Sequence, residues 1–476
     1  MRVKTIVTAL TAGMIVSGSA MAASSDVDAK IANLQQQIQQ LQAQVNSGSS
    51  SSSMSKSSGN TGGVSFVKYD ADYTQKMLNN QDSGVNRELA ILHSRESGQL
   101  SSNSIYLGGK GELQAQFRRM NSVNQGNNVA AGSAVGTTGT EIGADNSTAI
   151  ELPYANVIFT STIGDWVTGY ANMAVLNPVT NDVVMPDAYF VVGNLDKAPV
   201  YAWGGVKTVD FGDFSMDNTY IPGITRAAFL ASGGQFGVGF HNYGVTATVT
   251  LMNGNANGSL NASNPGDQSQ LNNFAANVMY QQTLNGKFTY HVGTGYINGT
   301  GFRGDNYNTA TGHGDRVGAW TANAGFDVAG FALSTDFVMT TQSVYGLANN
   351  SALNPVDQTN SSGSPWQNTN LFNWTWIVGY TGQMTNAFSG GAILKAWDVN
   401  SSYSMPLMGH DSVFFFSYSQ LFQDTDNNIY QFTAGARTNV IDTLWFGLAY
   451  NFAGGKLNTN SLQASNIVQA DVTVYF

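Results

Sequence analysis

The chain has 476 residues, of which 42 % are hydrophobic and only 11 % charged, against roughly 25 % charged in ordinary globular chains. Its formal charge of −10 argues against a nucleic-acid partner, which needs basic patches. With 53 Gly, 9 Pro and no Cys, its polarity comes from Asn, Ser, Thr, Gln and Gly. That mixture suits a barrel with a lipid-facing wall and a wet lumen, and the missing thiols suit an oxidising compartment.

Residues 1–22 read as a signal peptide. Arg2 and Lys4 give a positive start, residues 6–16 an apolar stretch, and Ala20-Met21-Ala22 a small-residue cleavage signal. Beyond it no run of about 18 apolar residues occurs, so no spanning helix is predicted. A membrane protein without one must close into a barrel, because lipid cannot satisfy an open sheet edge.

Residues 23–46 carry a heptad seam. Val27, Ile31, Leu34, Ile38, Leu41 and Val45 alternate at spacings of four and three. About three heptads are too few to stand alone, so Ile31, Leu34, Ile38 and Leu41 predict a homo-oligomer through a periplasmic coiled coil. The alternative is an isolated amphipathic helix lying on another surface, and spacing does not separate a dimer from a trimer. Residues 47–63 form a Ser/Gly linker. Residues 64–104 are a pre-barrel segment with one short helix over 85–95, at the barrel entrance, inside it, or on the surface before the first strand.

From about Ile105 to Phe476 the period becomes two, which predicts an antiparallel transmembrane β-barrel of 16 strands (18 at most), each of about ten residues. Leu444, Phe446, Leu448, Tyr450 and Phe452 alternate with Thr443, Trp445, Gly447, Ala449 and Asn451. Short turns fall near residues 163–165, 195–198, 285–286, 329–330 and 440–442. Long polar loops fall near 121–145, 211–234, 254–267, 300–315 and 341–369. Short periplasmic turns with long extracellular loops are the bacterial outer-membrane pattern. Strand boundaries are least defined over 381–409. The last strand ends with Val472, Val474 and Phe476 on one face, which resembles the signal read by the barrel assembly machinery.

No catalytic constellation stands out, so no enzyme, cofactor or metal site is expected. His93, His241, His291, His313 and His410 lie at no metal-ligand spacing. The Gly-rich stretch 233–239 lacks a following Lys-Ser/Thr and suits a strand packed near a loop. Residues 424–428 read as an acidic turn rather than a calcium loop. Two features do look functional. On the first strand Lys110, Glu112, Gln114, Gln116 and Arg118 share one face. Charge on the lipid face costs about 2–4 kcal/mol at the midplane, so this face lines the lumen, either shaping a channel's field or forming a structural salt-bridge ladder. In residues 211–229, Asp213, Asp217 and Arg226 sit among aromatics. Such a loop either folds inward as a constriction or covers the rim.

The order of leader, Gln-rich heptads, Ser-rich linker and LGGKGELQAQF opening a barrel resembles the siderophore porin family of the legiobactin-receptor (LbtU-like) type. The resemblance spans essentially the whole chain, and phosphate-selective porins, which carry many lumenal Lys and Arg, are its nearest confusion. It implies passage or reception of a ferric siderophore without a TonB-type plug. The sequence-based expectation is therefore a porin-like channel in the outer membrane of a Gram-negative bacterium, bedded in lipid and lipopolysaccharide, that takes up a small-molecule solute passively. The alternative is an outer-membrane adhesin or structural interaction protein with a closed lumen.

Overall fold

The computed structural model describes residues 66–79, 85–120, 146–177, 182–215, 223–253, 271–300, 302–303, 316–344, 346–347, 391–423, 428–441, 443–457, 460–461 and 465–476. The leader, the heptads with Ile31, Leu34, Ile38 and Leu41, the linker, and Asp217 lie outside them.

Sixteen strands run in chain order. They are β1 (Ile105–Met120), β2 (Asn146–Ile163), β3 (Val167–Asn177), β4 (Asp182–Gly193), β5 (Val200–Thr208), β6 (Ser232–Asn242), β7 (Val245–Asn253) and β8 (Leu271–Leu284). Then come β9 (Phe288–Ile297), β10 (Ala319–Val328), β11 (Phe331–Val344), β12 (Ala392–Leu407), β13 (His410–Phe422), β14 (Asn428–Ile441), β15 (Leu444–Leu457) and β16 (Ser465–Tyr475). Each pairs antiparallel with its neighbour. β16 pairs with both β15 and β1, which closes the cylinder and leaves no edge. Among the described residues two helices precede β1: α1 (Ala71–Leu78) and α2 (Arg87–Glu96). A third, α3 (Ile224–Phe229), lies between β5 and β6.

The period of two sorts side chains as the sequence predicts. On β15 Phe446, Leu448 and Tyr450 face outward while Ala449 and Asn451 are buried inside. On β16 Val468 and Val474 face out, and Gln469, Asp471, Thr473 and Tyr475 face in. Outward Leu, Val, Phe and Tyr recur round the circle as a lipid-facing belt. Among the described residues no helix is long and apolar enough to cross a membrane.

The short turns all lie at one end. Three are two-residue turns, Tyr243-Gly244, Ala329-Gly330 and Met408-Gly409, with both residues at positive φ. That geometry matches the twist of the flanking strands. Strand length departs from the expected ten residues: β1 and β12 have 16 and β2 has 18. Some ten tilted residues cross the hydrocarbon layer, so the excess carries pairing beyond it.

The seam between the first and last strands explains the Leu107-Gly108-Gly109 opening. On the outer face the Phe476 ring lies over Gly109, where a Cβ would stand 2.5 Å from the ring carbons. Phe476 N–H donates to the Gly109 carbonyl at 2.9 Å. On the inner face Thr74 of α1 rests directly on Gly108, where no Cβ would fit.

Candidate functional site

Lys110, Glu112, Gln114 and Gln116 do share the inner face of β1, opposite outward Leu113 and Phe117. Lys110 Nζ meets Glu112 Oε2 at 2.8 Å, and both side chains are about 2 % exposed. This is the ladder arrangement. Arg118 continues the strand, pairing in register with Ile467, but its side chain lies outside the described set.

The pre-barrel segment does not sit on the surface. Asp70 caps α1, its carboxylate accepting the Tyr73 N–H at 2.7 Å. Tyr73 then reaches the inner wall, its hydroxyl bonding Thr160 Oγ1 on β2 at 2.8 Å. Ile91 and Leu92 of α2 pack into a wall of inward aromatics that includes Tyr170, Tyr189, Tyr201 and Trp203. Gly237 and Gly239 of the Gly-rich stretch make room for the Trp203 and Tyr201 rings, which is the strand role expected for it.

Polar contacts fix α2 at both ends. Near its start Arg87 Nη1 donates to Asp187 Oδ2 on β4 at 2.7 Å. Glu88 meets Lys207 on β5 at 2.7 Å, and Lys207 meets Asp210 at 2.6 Å. All three side chains are essentially fully buried, and Asn86 N–H donates to Asp210 Oδ1 at 3.1 Å. At the far end the Arg95 guanidinium donates to the Gly164 and Val167 carbonyls and to Thr168 Oγ1 in the β2–β3 turn. The helix, about 15 Å long at 1.5 Å per residue, thus runs along the wall from the loop-side end of β5 to the short-turn mouth. Burial, and then the charge of Asp210, push the Glu88 carboxyl up to about 8 despite Lys207.

From the end of β5, residues 209–215 turn inward and cross the lumen, and residues 223–231 lead back from the far wall to β6. Val209 N–H donates to the Ala231 carbonyl, closing the neck. The Gly212 carbonyl accepts from Asn277 Nδ2 on β8. The backbone N–H groups of Asp213 and Phe214 donate to the two carboxylate oxygens of Asp336 on β11, at 3.3 and 3.2 Å. Asp213 Oδ2 lies 3.4 Å from His291 Nε2 on β9. The Ser215 carbonyl accepts from Asn400 on β12, and Ile224 N–H donates to Ser419 Oγ on β13 at 2.9 Å. Phe211, Phe214, Ile224 and Phe229 pack against inward Met252, Ile297, Val338, Leu394 and Leu421. The segment therefore leaves one wall and lands on the other, and the aromatics of the loop are its anchors. Asp213 stands within it and Arg226 on α3, where the Arg226 carbonyl accepts from Leu230 N–H at 2.9 Å.

Sequence reasoning missed α1, although Asp70 ahead of an amphipathic run is a capping signal. It also missed the Glu88–Lys207–Asp210 cluster and the Asp336–Asp398 pair, which stand directly opposite on β11 and β12. No local pattern links such residues; Arg87 and Asp187 are a hundred positions apart. Among the described residues no group of His, Cys, Asp or Glu is arranged to hold a metal.

A closed antiparallel barrel with an apolar outer belt defines a transmembrane β-barrel of the outer-membrane type. No protein-family model and no curated protein matches the chain. Among solved structures it is similar to the outer membrane channel DcaP of Acinetobacter baumannii, at 10 % identity over 78 % of this chain and 97 % of that one, TM-score 0.47. It is also similar to OmpF of Salmonella typhi in complex with daunomycin, at 13 % identity over 78 % and 97 % of the two chains, TM-score 0.48. A third is an anion-selective porin from Comamonas acidovorans, at 12 % identity over 78 % and 99 %, TM-score 0.45. At that distance the likeness carries no functional argument.

Proposed function

We propose that this barrel is a porin-like channel of the outer membrane that passes a small solute down its gradient. The observation that carries the reading is the inward crossing made by residues 209–215 and 223–231. Aromatic anchors and backbone hydrogen bonds hold a loop across the lumen, and such a loop narrows a pore without sealing the sheet. No bond is broken in this mechanism. The inward charges supply the field: beside the pairs Lys110–Glu112, Arg87–Asp187 and Lys207–Asp210, the buried Asp336 and Asp398 stand next to each other on β11 and β12. A ferric siderophore as the solute rests on the resemblance of the pre-barrel order and opening strand. In this field a neutral or cationic chelate passes more readily than an anionic one.

A second reading, an interaction protein with a closed lumen, is favoured by α1 and α2, which occupy the turn-side part of the wall from β1 to β5. Single-channel recording of the purified full chain in a planar bilayer separates the two. Stepwise conductance supports the channel, and its blockade by a ferric siderophore would support that cargo. A folded barrel that never conducts leaves the closed interaction protein.

A further inference from the structure

The two inserts make their hydrogen bonds to only part of the inner wall, although the apolar cluster of the loop also reaches Ile429 on β14 and Ala453 on β15. α1 and α2 bond to β2, β3, β4 and β5. The loop of residues 209–215 and 223–231 bonds to β8, β11, β12 and β13. The strands that complete the circle, β14 to β16 and the loop-side half of β1, carry a different surface. On one rung Phe415, Gly435, Ala449, Gln469 and Gln116 stand in register across five strands. One rung nearer the loops Thr433 faces Asn451, and on the next Gln431 faces Ala453. At about 4.8 Å between strands and about 3.3 Å per residue along them, the row from Gln431 to Gln116 runs diagonally over roughly 20 Å.

Its polar atoms are unused by the protein. Gln431 and Gln469 each have both amide atoms buried without a hydrogen-bond partner. Gln116 and Asn451 each have an unpartnered carbonyl oxygen, while Asn451 Nδ2 donates to Thr433 Oγ1 at 2.7 Å. All four side chains are more than nine-tenths buried. Buried amides are normally paired, because leaving them unpaired is costly in a low dielectric. Four on adjacent rungs form a surface that the sheet itself does not need.

The chemistry of the row selects a ligand class. A carboxamide offers a donor and an acceptor and no charge, and a hydroxyl asks for both. An ion would need a countercharge, and the nearby charges are engaged: Lys110 with Glu112, and Asp471 with the Thr473 hydroxyl. Beside the amides the Phe415 ring lies along the wall across Gly435, where a Cβ would stand 2.5 Å from it. Gly435 and Ala449 put little or no side chain between the glutamines, and the Phe415 ring packs in a cluster with Ala449. A flat apolar face next to neutral donors and acceptors fits the C–H face and hydroxyl rim of a sugar ring.

The geometry points to a binding station for a neutral, polyhydroxylated solute of sugar type, made by Gln116, Gln431, Asn451 and Gln469 with Phe415 as its apolar face. This rests on the channel reading and not on the siderophore cargo, and it names the class of solute that this station takes. The test is titration of sucrose into the full chain in a non-glycosidic detergent by calorimetry, with sucrose added to the planar-bilayer recording in parallel. The expected result is saturable binding and a concentration-dependent fall in current, with glycylglycine, a zwitterion, giving neither. Gln431→Leu with Gln469→Leu should weaken sucrose binding at least about tenfold, since each removes hydrogen bonds to the solute. Ala449→Phe, which puts a ring between the glutamines, should abolish it. Heat-modifiable migration on a gel confirms that each variant is folded. A folded, conducting barrel that does not bind sucrose overturns the station and leaves the channel. Saturable sucrose binding to a barrel that never conducts supports the station and sinks the channel. Sucrose binding unchanged in both variants overturns the assignment to these residues.

Discussion

Replacing Lys207 by Met isolates the electrostatics that hold the N-terminal segment in the lumen. In the native cluster one ammonium serves two carboxylates, Glu88 at 2.7 Å and Asp210 at 2.6 Å, with all three side chains at 1 % exposure or less. Lys207→Met keeps the stem volume beside the Trp203 ring, which lies 5.0 Å from the ammonium, but leaves two buried carboxylates facing each other. Removing one partner of a buried pair costs about 3–5 kcal/mol, or roughly a hundredfold to several thousandfold in an equilibrium constant at 1.36 kcal/mol per decade. That loss falls on docking of α2, because a released helix returns Glu88 to water. Glu88→Gln makes the opposite change: it mimics the protonated Glu88 that prevails below about pH 8, Lys207 keeps Asp210, and little docking energy is lost. Hydrogen exchange of the α2 amides, read by mass spectrometry on the full chain in detergent, should show protection falling by that factor in Lys207→Met and by less than about tenfold in Glu88→Gln. Equal losses in the two variants, or no loss in either, would refute the reasoning.

Further outcomes follow from the same geometry. The Glu88 carboxyl is raised to about 8 by burial and by Asp210, so its stabilisation of the docked helix is complete below its ordinary value of 4.5 and is lost as pH rises through about 8. Protection of α2, corrected for intrinsic exchange, should therefore be lower at pH 9 than at pH 5, and Glu88→Gln should flatten that difference. Asp336→Asn replaces a carboxylate that accepts two loop N–H groups; a charged acceptor contributes about 1.5–3 kcal/mol, so exchange at Asp213 and Phe214 should rise at least tenfold. With Glu112, Asp187 and Asp210 paired to Lys110, Arg87 and Lys207, and Asp336 and Asp398 side by side inside, the reversal potential in a potassium chloride gradient should show cation preference. Asp336→Asn combined with Asp398→Asn should lower it, whereas an anion-preferring native channel would contradict the assigned field.

The barrel was legible because lipid imposes its pattern on every strand. The outward Phe446, Leu448 and Tyr450 and the inward Gln469, Asp471 and Thr473 appear as alternation before any pairing is known. Five of the short turns were readable from their Gly, Asn and Asp content. The turns at Tyr243-Gly244 and Met408-Gly409 were missed, although each has the same form as Ala329-Gly330, a large or apolar first residue at positive φ followed by Gly. The second of these is why the boundaries over 381–409 were unclear. The inner face of β1 was readable by the cost of placing Lys110 and Glu112 in lipid. Residues 64–104 read as a segment with one short helix of uncertain place, since eight residues of α1 give little periodicity. Its burial is decided by partners on β2 to β5. The carboxamide row was half visible: Gln114 and Gln116 stood out on β1, but Gln431, Asn451 and Gln469 belong together only once the register is known.

Both inserts in the lumen are tied to the same short stretch, which links their stabilities. Lys207 ends β5 and holds α2 through Glu88, while Asp210, three residues on, begins the crossing loop and accepts the Asn86 N–H from the start of α2. Undocking the start of α2 therefore removes one donor from Asp210 and leaves the neck of the loop with less to hold it. The other end of α2 has no such link, because Arg95 bonds only to the β2–β3 turn and the start of β3. Arg95→Ala gives up three hydrogen bonds, so the last turn of α2 should exchange faster. The loop helix α3, anchored on Ser419, should keep its native protection. Lys207→Met should loosen both α2 and α3. If Arg95→Ala loosens α3 as much as Lys207→Met does, coupling runs through the whole helix rather than through the Glu88–Lys207–Asp210 cluster. If Lys207→Met loosens α2 alone, the two inserts are independent and the loop's hold on the far wall is sufficient by itself.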